Sequence, residues 1–379
     1  MTLPDTAQSA VDVSIIVPAL NEGENIPLLV PRLAAAMNGR TYEVLLVDDN
    51  SRDRTPEVCA ELAKTYPVKL LVRDQPKHGL SGAVLHGIAA ARGRTLVIMD
   101  ADLQHPPERV PALLDALDNG EGDFALGSRY VPGGSTDDQW TFFRKINSWV
   151  ATFLARPFAG KVRDPMSGFF ALRRVTFDRA ERLTPLGYKI ALELMCKCRV
   201  QNVREVPIHF GLRTKGESKL SLKQQFRYLE HLSRLYDFTY PRASPIAKFL
   251  ITTTLGLLIG LAIFASLIAT DHGRIGSTVA GYFMSILVTV IFHLRYVRTQ
   301  REFLVRRRPW LDFTIISVAE LLIVLLSAMW LAHRAPGTPA IETFLISFAC
   351  GTIVRYVLRK EFLQDVRGLR KDLRPQELL

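Results

Sequence analysis

An α/β domain with a mainly parallel sheet, followed by an all-α domain of four membrane-crossing helices, is the fold class this sequence predicts. Three observations predict it. Short apolar runs alternate with helical stretches through residues 13–130. Four long apolar segments crowd into the chain beyond Pro241. Hydrophobic residues make up an ordinary 48%, but their uneven spread separates a water-facing part, 1–243, from a membrane part, 244–379. A charged fraction of 22% excludes a wholly disordered chain.

The first part reads in order as follows. Residues 1–12 lack a basic region, and the apolar run 13–20 is too short for a signal core, so it is expected to be a buried strand rather than a leader. Strands are predicted at Val13–Pro18, Tyr42–Val47, Val68–Val72, Thr95–Met99 and Phe124–Gly127. Helices are predicted near 25–37, 55–65, 82–92 and 107–119. Continuously apolar strands separated by helices indicate a parallel sheet covered on both faces. Such sheets bind ligands beyond the carboxyl ends of their strands.

Polar residues collect at those ends: Asn21 and Glu22, Asp48 and Asp49, Asp100 and Asp102. Asp53 reads as a helix cap. Three acidic strand ends on one edge are harder to explain as caps, and a polyanion bound through a metal would explain them. In Asp100-Ala101-Asp102, alternate residues of an extended segment point to the same side, so both carboxylates can approach one cation. Hard oxygen ligands suit Mg²⁺ or Mn²⁺, which also bind phosphate oxygens, and Gln104 is a further candidate ligand. Pro106 and Pro107 then start a helix.

Segments 249–270, 277–294, 311–331 and 340–358 each approach the ~20 residues that cross a ~30 Å hydrocarbon layer. The loop after the second carries Arg295, Arg298, Arg301, Arg306, Arg307 and Arg308, and the C-terminal flank is equally basic. The positive-inside rule therefore puts both termini, the central loop and the first domain in the cytoplasm. Lys plus Arg number 48 against 37 acidic residues, a net +11 that reads as topology signal and contact with anionic lipid, with no nucleic acid implied. Glu320, inside the third span, is expected to face the bundle interior because an ionised carboxylate in lipid costs about 3 kcal/mol. Structural and functional readings of it stay open. Cys59, Cys196, Cys198 and Cys350 are too scattered for a disulfide framework or a zinc site. Stretches 140–159 and 220–238 are amphipathic, basic and aromatic-rich, as in helices that lie in the headgroup layer; ordinary packing on the core is the alternative.

Seven stretches in order carry a family resemblance: Ile16–Glu22, Val47–Ser51, Met99–Pro107, Gly127–Tyr130, Arg163–Phe169, Gly187–Ile190 and Arg213–Lys219. The chain resembles the inverting family 2 glycosyltransferases of the GT-A fold, and within them the dolichol-phosphate mannose synthases and related polyprenyl-phosphate glycosyltransferases. The membrane part resembles GtrA-like four-helix domains. The resemblance implies that Pro18, Leu20 and Glu22 line the nucleotide pocket, with Asp49 on the base or ribose. It implies that Asp100, Asp102 and Gln104 hold metal and diphosphate, and that Arg213 and Lys219 contact the phosphates. Arg163 and Ser167, with Arg144 or its neighbour Lys145, would receive a lipid phosphate. Leu20 departs from the family, which often has an aromatic residue there.

A lipid phosphate is largely a dianion at neutral pH, its second pKa being near 6, so its attack on an anomeric carbon needs no general base. It needs paired guanidinium donors that hold it in line. The resemblance implies transfer of a hexose, mannose from GDP-mannose first, to a polyprenyl or dolichyl monophosphate with inversion. UDP-glucose or another UDP-sugar is the alternative donor. A lipid-linked sugar translocator is the alternative from another class, and a homo-oligomer is left open. Two motifs are set aside. Gly79-Leu-Ser-Gly82 lacks the Gly-Lys-Ser/Thr ending of a phosphate loop, and Gln224–Tyr228 on a surface helix reads as structural.

Overall fold

The computed structural model describes residues 11–118, 122–137, 142–181, 183, 189–211, 222–292 and 309–364. The chain divides into two compact units, the first running to Leu235 and the second starting at Tyr236.

The first unit is built on strands β1 (Val13–Ala19), β2 (Tyr42–Asp48), β3 (Val68–Val72), β4 (Thr95–Ile98), β5 (Phe124–Ser128), β7 (Phe170–Arg173) and β8 (Val203–Pro207), in the order β3-β2-β1-β4-β7-β5-β8. A two-residue strand β6 (Ser135–Thr136) pairs with β9 (His209–Phe210) beside it. The five strands expected from the sequence are present within a residue of their expected ends. β7 and β8 were not expected. All pairings in the large sheet are parallel except those of β7, which runs antiparallel to β4 and to β5.

Alternation along each strand feeds two cores. Ile16, Leu45, Val47, Leu96 and Ile98 face one side, under α3 (Gly79–Ala90) and α7 (Ile190–Lys197). Ile15, Val17, Leu46 and Val97 face the other, under α1 (Ile26–Ala36), α2 (Thr55–Leu62) and α4 (Val110–Asp118). Gly79-Leu-Ser-Gly82 is the first turn of α3. A Cβ at Gly82 would lie 2.3 Å from the Lys77 carbonyl, so this glycine serves close packing.

A single-turn helix, α6 (Arg174–Phe177), follows β7, and two longer helices, α5 (Phe142–Ala159) and α8 (Leu222–Thr239), match the amphipathic stretches. Each packs one face on the core and leaves other apolar side chains exposed: α5 packs Ala151, Leu154, Ala155 and Phe158, and α8 exposes Phe226 and Leu229. On α8, Tyr228, Leu232 and Leu235 are buried in the core, and the Tyr228 hydroxyl donates to the Ala151 carbonyl at 2.7 Å. On α5, Ile146, Trp149, Val150 and Phe153 form an i, i+3, i+4, i+7 stripe that is exposed, with Trp149 at 66% and Phe153 at 57%.

The second unit holds α9 (Ala243–Ala269), α10 (Arg274–Phe292), α11 (Pro309–Arg334) and α12 (Ala340–Gln364). All four are long and apolar enough to cross a membrane. They enclose Phe264, Tyr282, Ile286, Val324, Phe344 and Phe348. A Cβ at Gly260 or Gly281 would meet the other's carbonyl oxygen at 2.6 Å, so α9 and α10 touch backbone to backbone, as small residues allow in membrane bundles. Glu320 does face the interior. Its Oε2 accepts from Arg355 Nε at 2.9 Å, while Arg355 also donates to Thr289 Oγ1 at 3.0 Å and to the Tyr282 hydroxyl at 3.2 Å. Glu320 is thus an ion-pair partner joining α11 to α12, and Arg355 draws in α10.

Candidate active site

The carboxyl ends of β2, β1 and β4 lie side by side, which brings the loops 20–25, 49–54 and 99–106 to one edge. The first two loops are laced together. Asn21 N–H donates to Ser51 Oγ at 2.8 Å, Arg52 N–H to Asn21 Oδ1 at 2.9 Å, and Glu22 N–H to Thr55 Oγ1 at 3.0 Å. Asp53 accepts from the Gly23 and Thr55 amides at 2.9 and 3.0 Å, so it holds the entry to α2, near its expected capping role. Asp48 is buried and accepts from the Ser51 amide and hydroxyl. It therefore serves the turn.

Four residues expected at a nucleotide pocket cluster here. Pro18 is half-buried at the end of β1, Leu20 is exposed and Glu22 partly so, its Oε2 accepting from Asn25 Nδ2 at 2.6 Å. Asp49 pairs with Arg73 at 2.5 Å, and Arg73 also donates to the Lys77 carbonyl. Burial raises the Asp49 carboxyl above its usual range, and Arg73 opposes that rise.

After β4 the chain turns at Leu103, whose φ is 62°. Asp102 is buried and its Oδ1 accepts from the Gln104 amide at 3.1 Å, whereas the Asp100 side chain is 37% exposed. Gln104 Nε2 donates to the Gly211 carbonyl at 3.1 Å, and the Gly211 amide returns a bond to the Gln104 carbonyl at 3.2 Å. Gln104 thus ties the Asp100–Asp102 turn to the chain after β9. Among the described residues no group of three His, Cys, Asp or Glu side chains gathers around a metal position. The donor set is two carboxylates on one turn, which fits a hard cation that takes its other ligands from phosphate oxygens and water.

The antiparallel strand β7 decides what faces this turn. Because Ile98 pairs with Phe170, the residues before β7 share an edge with those after β4. A Cβ at Gly168 would lie 3.5 Å from Asp100 Oδ2 and 3.4 Å from His105. β5 ends at the same edge, so Arg129 follows there. Arg129 grips the buried Asp164 with Nε and an Nη atom, each at 2.7 Å, and its amide adds a third bond at 3.0 Å. Its guanidinium lies 5.2 Å from both the Tyr130 and Phe210 ring centres. Burial by itself would lower the Arg129 pKa, but Asp164 outweighs it and holds the guanidinium above its ordinary range.

Arg163 is exposed and lines a cavity of about 690 Å³ with Tyr130, Trp149, Arg156 and Lys161. Ser167 is buried, its Oγ accepting the Phe169 amide at 3.2 Å. Arg144 lies on α5 with its side chain outside the described residues, as is Lys145's; Arg213 and Lys219 lie outside them altogether.

Three residues without an expected role stand at this edge. Arg129 is one. His105 is buried, stacked on Phe169 at 5.3 Å, and accepts the Asp100 amide on Nδ1 at 3.2 Å. Burial lowers its pKa to about 4, so it is neutral at physiological pH. Lys189 donates to the Met166 carbonyl at 2.7 Å, and burial, with Arg129 nearby, lowers its ammonium to about 8. Their signal in the sequence was the motif context, Gly127–Tyr130, Met99–Pro107 and Gly187–Ile190, which marks positions without stating roles.

Comparison with known proteins places two family models on separate stretches of the chain. Residues 14–180 match the family model described as Glycosyl transferase family 2, and residues 248–363 match the GtrA/DPMS transmembrane domain. A dolichol-phosphate mannosyltransferase of Pyrococcus furiosus is 46% identical over 250 residues, covering 65% of this chain and 70% of that protein. A dolichol-phosphate mannosyltransferase of Mycosarcoma maydis is 41% identical over 273 residues, covering 69% of this chain and 92% of that protein. A solved glucosyl-3-phosphoglycerate synthase from Mycobacterium tuberculosis, in complex with Mn²⁺ and UDP, superposes at a TM-score of 0.45 and 20% identity over 61% of this chain and 81% of that one, too loose a likeness to bear on the site.

Proposed function

The chain belongs to the dolichol-phosphate mannosyltransferases, membrane enzymes of glycosyl transferase family 2, and from that premise we propose that it transfers mannose from GDP-mannose to a polyprenyl or dolichyl monophosphate. One observation carries the reading at the site. The acidic turn after β4 adjoins the loop 163–168, which bears Arg163 and, through Asp164, is joined to Arg129.

On the donor side Pro18, Leu20, Glu22 and Asp49 bind the nucleoside, and Arg213 and Lys219 contact the phosphates. Asp100 and Asp102, with Gln104, would hold a divalent ion, and Mg²⁺ or Mn²⁺ bound there would supply Lewis-acid neutralisation of a leaving diphosphate. On the acceptor side Arg163, Ser167 and Arg144, joined by Arg129, hold the lipid phosphate. A dianion held by guanidiniums keeps its own nucleophilicity, so these residues need only orient it. A single in-line displacement inverts the anomeric centre, and an α-linked donor gives a β-linked lipid phosphate sugar.

The exposed apolar stripe of α5 beside Arg156 and Lys161 supports a place for that helix in the headgroup layer, which brings the site to a bilayer-bound acceptor. The basic loop 293–308 and C-terminal flank support a topology with both termini and the catalytic domain cytoplasmic.

The test is a donor panel. Full-length protein in lipid, with Mg²⁺ or Mn²⁺ and polyprenyl phosphate, is offered radiolabelled GDP-mannose, UDP-glucose and UDP-galactose. Label entering an alkali-stable, mild-acid-labile lipid only from GDP-mannose supports the reading. Transfer only from a UDP-sugar overturns the choice of donor, and binding without transfer would favour a translocator.

A further inference from the structure

Glu205 lies in the middle of β8 and takes no part in the reaction as described above. Its carboxylate accepts two consecutive backbone amides, that of Arg163 on Oε2 at 2.9 Å and that of Asp164 on Oε1 at 3.0 Å. Asp164 in turn fixes Arg129 through three bonds. One carboxylate on a sheet strand therefore sets the loop from which one guanidinium projects and against which a second is locked.

We propose that Glu205 is a positioning residue for the phosphate acceptor, acting through the Arg163–Asp164 backbone on Arg163 and Arg129. The inference rests on the reading that this edge receives a lipid phosphate. Two physical points support it. Consecutive amides that converge form a nest that attracts anions. Glu205 fills this one, so an incoming phosphate dianion is left to the side-chain guanidiniums rather than drawn down to the backbone. The geometry also requires both oxygens of a carboxylate. Glutamine has one acceptor, and its NH₂ would face an amide N–H, leaving a donor without a partner. Sheet pairing alone does not ask for this residue, since Leu126 and Glu205 are joined through their backbones in the β5–β8 ladder.

The test uses the full-length protein and separates acceptor from donor. Glu205→Gln is expected to raise the acceptor KM about tenfold, as the loss of one charge-assisted hydrogen bond would. Binding of GDP with Mg²⁺, read by calorimetry, should stay within about twofold, and the melting midpoint within about 3 °C. In the double variant with Arg163→Ala, the rise in acceptor KM should be clearly smaller than the product of the two single rises, because both act on one loop. Equal loss of donor binding and acceptor use, an unchanged acceptor KM, or fully multiplicative effects would overturn the proposal. If Glu205→Gln does not fold, Glu205→Asp, which keeps both oxygens on a shorter arm, is judged by the same criteria. A parent enzyme that transfers nothing to polyprenyl phosphate would instead overturn the underlying reading of the site.

Discussion

The turn after β4 and the loop before β7 meet at one edge with opposite charge, yet each handles its charges in the same way. On the acidic side Asp102 is buried and accepts the Gln104 amide, while Asp100 is partly exposed. On the basic side Arg129 is buried against Asp164, while Arg163 is exposed above a cavity shared with Arg156 and Lys161. In both regions one charge is held by the fold and another is presented. A buried ion pair maintains geometry because breaking it leaves an uncompensated charge, whereas an exposed one stays available for a ligand. The difference in sign suits the proposed reaction, in which a diphosphate would leave the acidic side with a cation and a phosphate dianion would arrive on the basic side.

The comparison breaks first at the metal. Asp102→Ala, or excess EDTA on the parent protein, should lower transfer by about a thousandfold or more, since the leaving group loses its counter-charge. Radiolabel transfer measures this, and undiminished activity in EDTA would remove the metal from the acidic side. Next is the presented cation. Arg163→Ala should cut kcat/KM for the lipid acceptor by about 10- to 100-fold and leave GDP binding within about twofold. Comparable damage to both would place Arg163 with the donor.

A smaller effect is expected where a charge supports the nucleotide pocket. Arg73→Ala frees Asp49 and the Lys77 carbonyl, so donor KM should rise about five- to tenfold with acceptor KM unchanged. A purely structural pair gives the control. Glu193 is buried; its burial would raise the carboxyl, but Lys197 at 2.7 Å and His231 outweigh this and hold it below its usual range. With a folded pKa depressed below the unfolded 4.5, its contribution is present above pH 4.5 and lost as pH falls below it. Glu193→Gln should therefore melt lower than the parent at pH 7, with the difference narrowing as pH drops below 4.5, while the KM values of the folded variant stay unchanged. A pH series of melting curves checks this, and a gap that widens in acid would reverse the sign.

Much of this arrangement is legible in the sequence. Five strands, four helices beside them and four spans follow from apolar periodicity, a local property of the chain. Asp100 and Asp102 stood out because an extended segment places alternate residues on one side of a strand end. β7 and β8 were missed, and with them the reason that 163–168 reaches Asp100. α5 and α8 are alike in sequence, and each puts part of its apolar surface on the core while leaving another part, Trp149 and Phe153 on α5 and Phe226 and Leu229 on α8, exposed. Periodicity states that a face is apolar without stating what covers it.

The two-part organisation, the acidic strand ends and the position of Glu320 inside an apolar segment are properties of the sequence. These depend on residue type and on spacings of two to four, which a strand or helix converts directly into geometry. The antiparallel run of β7, the lock of Asp164 on Arg129 from 35 residues away and the neutralisation of Glu320 by Arg355, again 35 residues distant, arise in the folded chain. Such pairings depend on strand register and helix packing between distant segments. Those are set by burial of the whole core and by the need to partner every buried charge, and no local pattern encodes them.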